Sequence, residues 1–312
     1  MAFVEDVLRF LTARMQIEAD WAVQEQTSFT WWPSSLAQRV WVAPAREFQG
    51  VALTTLHIET DLLAEVPMDA STWTRLAGVN TFASLSAYVA DPAARTISLH
   101  SSVSLTADNY RLAQSIALHA MALQMADAYG EAAALADAFG GQVAASGHPL
   151  KGLRTTPDEM VGIVEVYQQR GESDSPFEPE EIAQLVHVEP RPWLLASNDV
   201  NRLDADLEFA TGVPARLELD AEAKHPSLGS GLQMRLKLPV EPDVMVAQRL
   251  NANERLEPDA HQLGAWCVDD EHGLMFTGFV PAAAWVPELS RALVYHLSAK
   301  NEWARALLFP AG

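Results

Sequence analysis

The sequence predicts an α+β chain built as two tandem copies of one unit, each a twisted antiparallel sheet with helices packed on one face. Three observations carry that prediction. Short segments rich in β-branched and aromatic residues, bounded by Pro or Gly, come in runs with helical patterns at their ends. The closing portion of each half of the chain repeats the other. The 312 residues are 49% hydrophobic, enough for two domains that each bury a core. The expected boundaries are 1–145 for the first unit, 146–177 for a bridging segment with one helix, and 178–312 for the second unit.

Residues 3–25 read as a helix. Val4, Leu8, Leu11 and Met15 recur at helical spacing, and Glu5 and Asp6 fall in the first turn, where the helix dipole favours negative charge. Strands follow at 29–32, 39–42 and 51–59, each bounded by Pro33, Pro44 or Gly50. A short helix is predicted over 69–82, capped by Asp69 or Ser71. A hairpin comes next, 85–90 and 96–105, around Asp91-Pro-Ala-Ala-Arg95. A long helix runs from about Asp108 to Tyr129, with 132–139 extending it and Gly140-Gly141 ending it. Within the glycine- and proline-rich junction, 157–170 forms a helix with Thr156 as cap and Pro157 in its first position. Met160, Val164 and Tyr167 give that helix an apolar stripe. In the second half, 180–188 stands in for the first helix, and 216–221 and 232–238 alternate as strands.

The repeat is clearest before the last helix of each half. Ala87-Tyr-Val-Ala-Asp91, a turn and Ile97-Ser-Leu-His-Ser-Ser-Val103 match Ala265-Trp-Cys-Val-Asp269, a turn and Leu274-Met-Phe-Thr-Gly-Phe-Val280. The register then holds: Ile97 aligns with Leu274, Leu99 with Phe276 and Val103 with Val280. In the helices Leu112 aligns with Leu289, Ile116 with Leu293 and His119 with His296. Upstream, Leu76-Ala-Gly-Val-Asn80 resembles Leu250-Asn-Ala-Asn253. Two copies favour a pseudo-dimer over a solenoid.

Asn253, Gly264, Trp266 and Asp269, followed by an apolar strand to Val280 and an amphipathic helix, resemble the YbjN-like proteins, which share the fold of type III secretion chaperones. The first half carries Asn80, Ser86 in the glycine position, Tyr88 and Asp91. The resemblance covers about 60 residues of each half. It implies two type III secretion chaperone-like units in one polypeptide, imitating the homodimers of that family, and a protein-binding role. The secretion role itself does not transfer, because a fold does not fix a function.

Charge and composition narrow the function classes. Aspartate and glutamate number 41 against 21 lysines and arginines, a formal net charge of −20. No basic run offers itself to a phosphate backbone or an anionic bilayer, so neither nucleic acid nor membrane is expected as partner. The single cysteine, Cys267, cannot form an internal disulfide. No secretory leader or membrane span is recognisable in the sequence, and a cytoplasmic location is expected.

The motifs of catalysis do not assemble. There is no His-Glu-x-x-His, no Cys-x-x-Cys and no Gly-x-Ser-x-Gly. Gly140-Gly-Gln-Val-Ala-Ala-Ser-Gly147 lacks the Gly-Lys-Ser/Thr ending of a phosphate loop, and Lys151 comes too late. His57 and Glu59 share one strand face and could ligate a metal, but a solvated face is the expectation. Cys267, between Trp266 and Val268, is expected to be buried and inert. No catalytic residue, metal or cofactor is expected. The expected function is non-catalytic protein binding, as a chaperone-like or adaptor protein, monomeric as a pseudo-dimer or homodimeric. The alternative is a small-molecule binder or enzyme with its site between the units. Trp31, Trp32, Trp41 and Trp193 are the candidates for a protein-binding surface, since adjacent Trp31 and Trp32 point to opposite strand faces and one can be exposed. His119 and His296 are the candidate pseudo-symmetric pair, able to sense pH if they meet.

Overall fold

The computed structural model describes residues 2–48, 51–170, 202–209, 212–256, 261–269 and 271–309. The chain is α+β, with two antiparallel sheets and, among the described residues, six α-helices. It divides into two compact units that are not consecutive in sequence. Unit 1 comprises Met1–Leu76, Leu85–Tyr167 and Asn251–Leu263; unit 2 comprises Ala77–Ser84, Gln168–Leu250 and Gly264–Gly312. Each unit thus takes in the end of a short helix, and the loop beyond it, from the opposite half of the chain. A boundary drawn by composition at the glycine-rich junction has no means of detecting such an exchange.

In unit 1, α1 (Ala2–Arg14) places Val7 and Leu11 in the core. It is shorter than the predicted 3–25: Gln16 takes a positive φ of 50°, and a 3-10 turn at Ala19–Trp21 leads into β1 (Ala22–Gln24). There follow β2 (Ser28–Trp31), β3 (Gln38–Val42), β4 (Arg46–Phe48) and the long β5 (Val51–Ala64). The first turn of α2 (Ala70–Asn80) is capped by Asp69, whose carboxylate accepts from the Thr72 N–H at 3.0 Å. The hairpin β6 (Ala87–Asp91) and β7 (Thr96–Leu105) turns on Asp91, whose carboxylate accepts from the N–H groups of Ala93 and Ala94.

The sheet order is β1-β2-β3-β5-β7-β6, with β4 and β8 (Gln142–Val143) added on β5. The single helix α3 (Tyr110–Phe139) joins the two predicted helical stretches, ends at left-handed Gly140 and packs across β5 and β7. Its Gln124 and the sheet's Gln38, Thr60, Ser101 and Ser86 form one buried hydrogen-bonded chain under the helix. The stretch after Gly140, expected to be linker, instead forms β8. It continues to α4 (Glu159–Arg170), where the Asp158 carboxylate, and not the predicted Thr156, accepts from the Met160 N–H at 2.9 Å. Tyr167 and the predicted 180–188 helix carry no described side chains or placement.

In unit 2, β9 (Arg202–Leu207), β10 (Ala215–Asp220), β11 (Lys224–His225) and β12 (Gly229–Lys237) precede α5 (Val244–Leu256). Then come β13 (Ala265–Asp269), β14 (Gly273–Pro281) and α6 (Leu289–Leu308), which packs on β10 and β12. The sheet order is β13-β14-β12-β10-β9, with β11 on β12.

Both units therefore share a five-strand core in the same order. β6, β7, β5, β3 and β2 of unit 1 correspond to β13, β14, β12, β10 and β9 of unit 2. The registers correspond as well. Ala87 faces His100 as Ala265 faces Thr277; Leu56 faces Val103 as Leu232 faces Val280; Val40 faces Ile58 as Leu219 faces Met234. The residue alignment drawn from the repeat is the one the hydrogen-bond ladders follow. Gly264 illustrates the local cost of divergence. Its φ is +139°, and a Cβ there would run into the carbonyl oxygen of Thr277 and the Cα of Gly278. In unit 1 the same two positions hold Ser86 and Ser101, whose hydroxyls hydrogen-bond at 2.7 Å.

Candidate functional site

The richest concentration of chemistry lies in unit 1, on the sheet face opposite α3. Side chains alternate along a strand, so His57, Glu59 and Asp61 of β5 share this face with Arg39 and Trp41 of β3 and with His100 and Ser102 of β7. Alternation alone reads as a half-solvated strand, and His57 and Glu59 were expected to be solvated. The structure corrects this: His57 is 3% exposed, Glu59 2% and His100 0%.

A buried carboxylate survives only if it is paired and hydrogen-bonded. Arg255 supplies that partnership from the last turn of α5. Its Nε donates to Glu59 Oε2 at 2.5 Å and its Nη2 to Oε1 at 3.0 Å, a two-pronged geometry that suits guanidinium and carboxylate. Arg39 also donates to Glu59 Oε1, and to Asp61 Oδ1 at 2.9 Å. Asp91 lies 3.9 Å from Arg255 Nη1. Burial alone would push the Glu59 carboxyl up; the hydrogen bond and charge of Arg255, aided by His100 and Arg39, hold it below the ordinary range instead. For Asp61 burial prevails, and its carboxyl is raised.

Beside this pair the two histidines form a hydrogen-bonded line. His57 Nδ1 is 3.2 Å from His100 Nε2, and His100 Nδ1 meets Gln262 Oε1. With the amide oxygen of Gln262 facing it, His100 carries its proton on Nδ1 and accepts at Nε2, so His57 Nδ1 is the donor. Burial drives both imidazoles toward the neutral form. It lowers His57 to about 3, with the neighbouring His100 adding to the effect, and lowers His100 to about 4 against the hydrogen bond that His100 donates to Gln262. Trp41 stacks flat on His57, with ring centroids 4.9 Å apart and planes at 8°.

Gln262 is held by backbone as well as side chain. β6 pairs with β7 only as far as Ala87 opposite His100. Beyond that point Gln262 takes over the edge: its N–H donates to the Ser102 carbonyl and the Ser102 N–H donates to its carbonyl, each at 3.0 Å. The preceding His261 accepts from the Ser104 N–H at 3.1 Å through Nδ1. Arg255, His261 and Gln262 thus reach the face from one short piece of chain. They are more than 150 residues distant in sequence from the groups they meet, and this is why Arg39, His100, Arg255 and Gln262 did not emerge as site residues from the sequence. Chemically the arrangement is closed. Both oxygens of Glu59 are engaged, and the two imidazoles, driven toward the neutral form by burial, are bonded to one another.

The residues singled out from sequence are distributed differently. Trp31 and Trp32 are both buried, so the exposed aromatic expected at one of them is absent. Trp32 donates to Ser146 Oγ at 3.1 Å and lies edge-on to His148. The junction after α3 covers it. Only Trp41 joins the polar cluster, half-buried. Trp193 lies outside the described residues. His119 belongs to unit 1, donating to the Ser115 carbonyl at 2.8 Å, and burial lowers its pKa. His296 belongs to unit 2, edge-on to Phe276 at 5.8 Å. Cys267 is buried and its thiol is pushed up to about 12, chiefly by burial. Beside His296, a feature missed in sequence, buried Lys300 places its ammonium 4.1 Å from the centre of the Phe276 ring.

Among the described residues, no three or more His, Cys, Asp or Glu side chains converge as a metal site, and no helix is long and apolar enough to cross a membrane. Comparison of the chain with protein-family models, with curated proteins and with solved structures finds no match.

Proposed function

We propose that this chain is a non-catalytic protein-binding protein, chaperone-like or adaptor in character, built from two type III secretion chaperone-like units. The observation that supports it most is the closure of the Glu59–Arg255–His57–His100 cluster. The side chains best suited to chemistry are spent on holding chain segments together, which is the work of a binding scaffold. The shared strand order and register of the two units support the same reading, since a duplicated sheet offers two related surfaces. The formal charge of −20 favours partners with basic segments. The test is affinity capture with the full chain. Each captured protein is then purified and titrated back by calorimetry. A saturable one-to-one or two-to-one complex is expected; if no purified candidate saturates, the reading fails.

A further inference from the structure

The slot that receives Arg255 and Gln262 has the properties of a peptide site already filled. It reads charge: Glu59, Asp61 and Asp91 set three carboxylates around one guanidinium position, and among the described residues the other cation beside them is Arg39. Without Arg255 the slot holds a net excess of two negative charges, at a position where Glu59 is 2% exposed. It also reads backbone: past the end of β6, the N–H and carbonyl of Ser102 pair with those of Gln262. Addition of an extended segment to a free strand edge is a general mode of peptide recognition, with side-chain contacts giving specificity. Finally, the occupant comes from the far half of the chain, 196 residues from Glu59 and 162 from His100.

We propose that this slot is a binding site for a protein segment bearing an arginine followed, seven residues on, by an amide side chain in extended backbone, and that the chain's own Arg255 and Gln262 occupy it in cis. The proposal rests on the protein-binding reading and names the partner's chemistry. A partner enters by displacing the resident segment, and the resident segment sets the affinity through the fraction of molecules in which the slot is open.

The experiment uses a fluorescent peptide with the sequence of residues 251–263, titrated by anisotropy against the full chain. Arg255→Ala in the chain weakens the resident segment but leaves the slot intact. The peptide is expected to bind this variant about tenfold or more tightly than it binds the wild-type chain, since a larger open fraction raises apparent affinity in proportion. Glu59→Gln added to that variant, or Arg→Ala in the peptide, should remove binding. Equal affinity for the wild-type and Arg255→Ala chains, or no binding to a folded Arg255→Ala chain, overturns the proposal. Should Arg255→Ala fail to fold, hydrogen exchange of the wild-type chain decides. The Ser102 and Gln262 amides are expected to exchange by local opening, faster than their neighbours in β5. Exchange only at the rate of global unfolding overturns the proposal. A captured partner that binds wild-type and Arg255→Ala chains equally would overturn the slot and leave the protein-binding reading standing. Failure to find any partner, with peptide binding intact, would do the reverse.

Discussion

The two units solve one problem with opposite charges. In unit 1, Arg39 of β3 sits across from Glu59 of β5; in unit 2, the equivalent pair is Glu218 of β10 across from Arg235 of β12. The histidine line is replaced in the same way. His57 and His100 become Gln233 and Thr277, whose amide and hydroxyl still meet at 2.9 Å. The difference lies in how each carboxylate is neutralised. Glu59 depends on Arg255, a cation brought by a distant segment. Glu218 is ringed by cations of its own sheet: Lys237 at 2.7 Å, Arg202 at 3.2 Å, Arg216 at 3.4 Å and Arg235 at 3.9 Å. The two sheets share a strand order and ladder, but the polar face of one is met by a remote segment of the chain while the carboxylate of the other is neutralised by cations of its own sheet.

The most severe way to break this contrast is Glu59→Ala. Arg255, 22% exposed at the side chain, loses both of its hydrogen-bonded oxygens and keeps only the more distant Asp91, 3.9 Å away. Breaking a fully buried ion pair costs about 3–5 kcal/mol; with the guanidinium part-exposed, urea denaturation should show a loss toward the lower end of that range. Gly264→Ala tests the other divergence, with an expected loss of about 2–4 kcal/mol, because the new Cβ meets backbone and the residue must hold a φ of +139°. The equivalent change in unit 1, Ser86→Ala, should cost only about 1 kcal/mol, the net worth of one hydrogen bond.

The same residues show what a sequence can and cannot reveal. The matching hairpins were legible because the repeat aligned Val103 with Val280 and Ala87 with Ala265, and register follows from alternation once the pairing is fixed; the order of the remaining strands was not. The long helix was legible from Ile116 and Leu123 and from the stop at Gly140. The polar face was not. Leu56-His-Ile-Glu-Thr-Asp61 alternates as a solvated strand does, and no local feature announces that Arg255 and Gln262 will cover it. Likewise Trp32 is buried by Ser146 and His148, more than 110 residues away. Side-chain burial set by a remote segment leaves no periodic trace. Trp41, His57 and Glu59 were visible as residues, then, but their environment was not.

Acid sensitivity sharpens the comparison further. His57 and His100 are held neutral in the fold, at about 3 and about 4, against 6.5 when unfolded. Between those values and 6.5 the unfolded chain binds more protons than the folded one, so the pair's stabilisation is complete above pH 6.5 and drains away as the pH falls toward 4 and then 3. Glu59, depressed by its arginines, adds to the acid loss at the lower end, and Asp61, raised by burial, opposes it there. The slope contributed is about 1.4 kcal/mol per pH unit for each histidine. His57→Gln, which installs the unit 2 residue, should flatten the slope by one such contribution between pH 6 and pH 4. An unchanged slope in thermal melts across that range would show that His57 already carries a proton in the fold.

A smaller effect than at Glu59 is expected at Glu218→Ala. Its carboxylate is as buried as that of Glu59, so burial alone predicts equal damage. The neighbours decide otherwise. Arg202, Arg216 and Arg235 are 37%, 52% and 32% exposed at the side chain, and on losing Glu218 they can turn their charge to water; Arg202 and Arg216 also retain Asp204. Lys237, 20% exposed, loses its nearest carboxylate, but the charge is shared among four cations rather than resting on one remote arginine, and the cost should fall to about 1–2 kcal/mol, between that of an exposed pair and that of a buried one. It should also shrink in high salt, which screens exposed charges and leaves the Glu59 effect nearly untouched. A Glu218→Ala loss as large and as salt-independent as that of Glu59→Ala would mean that the two faces are electrostatically alike, and that the segment bearing Arg255 gives unit 1 nothing its own sheet lacks.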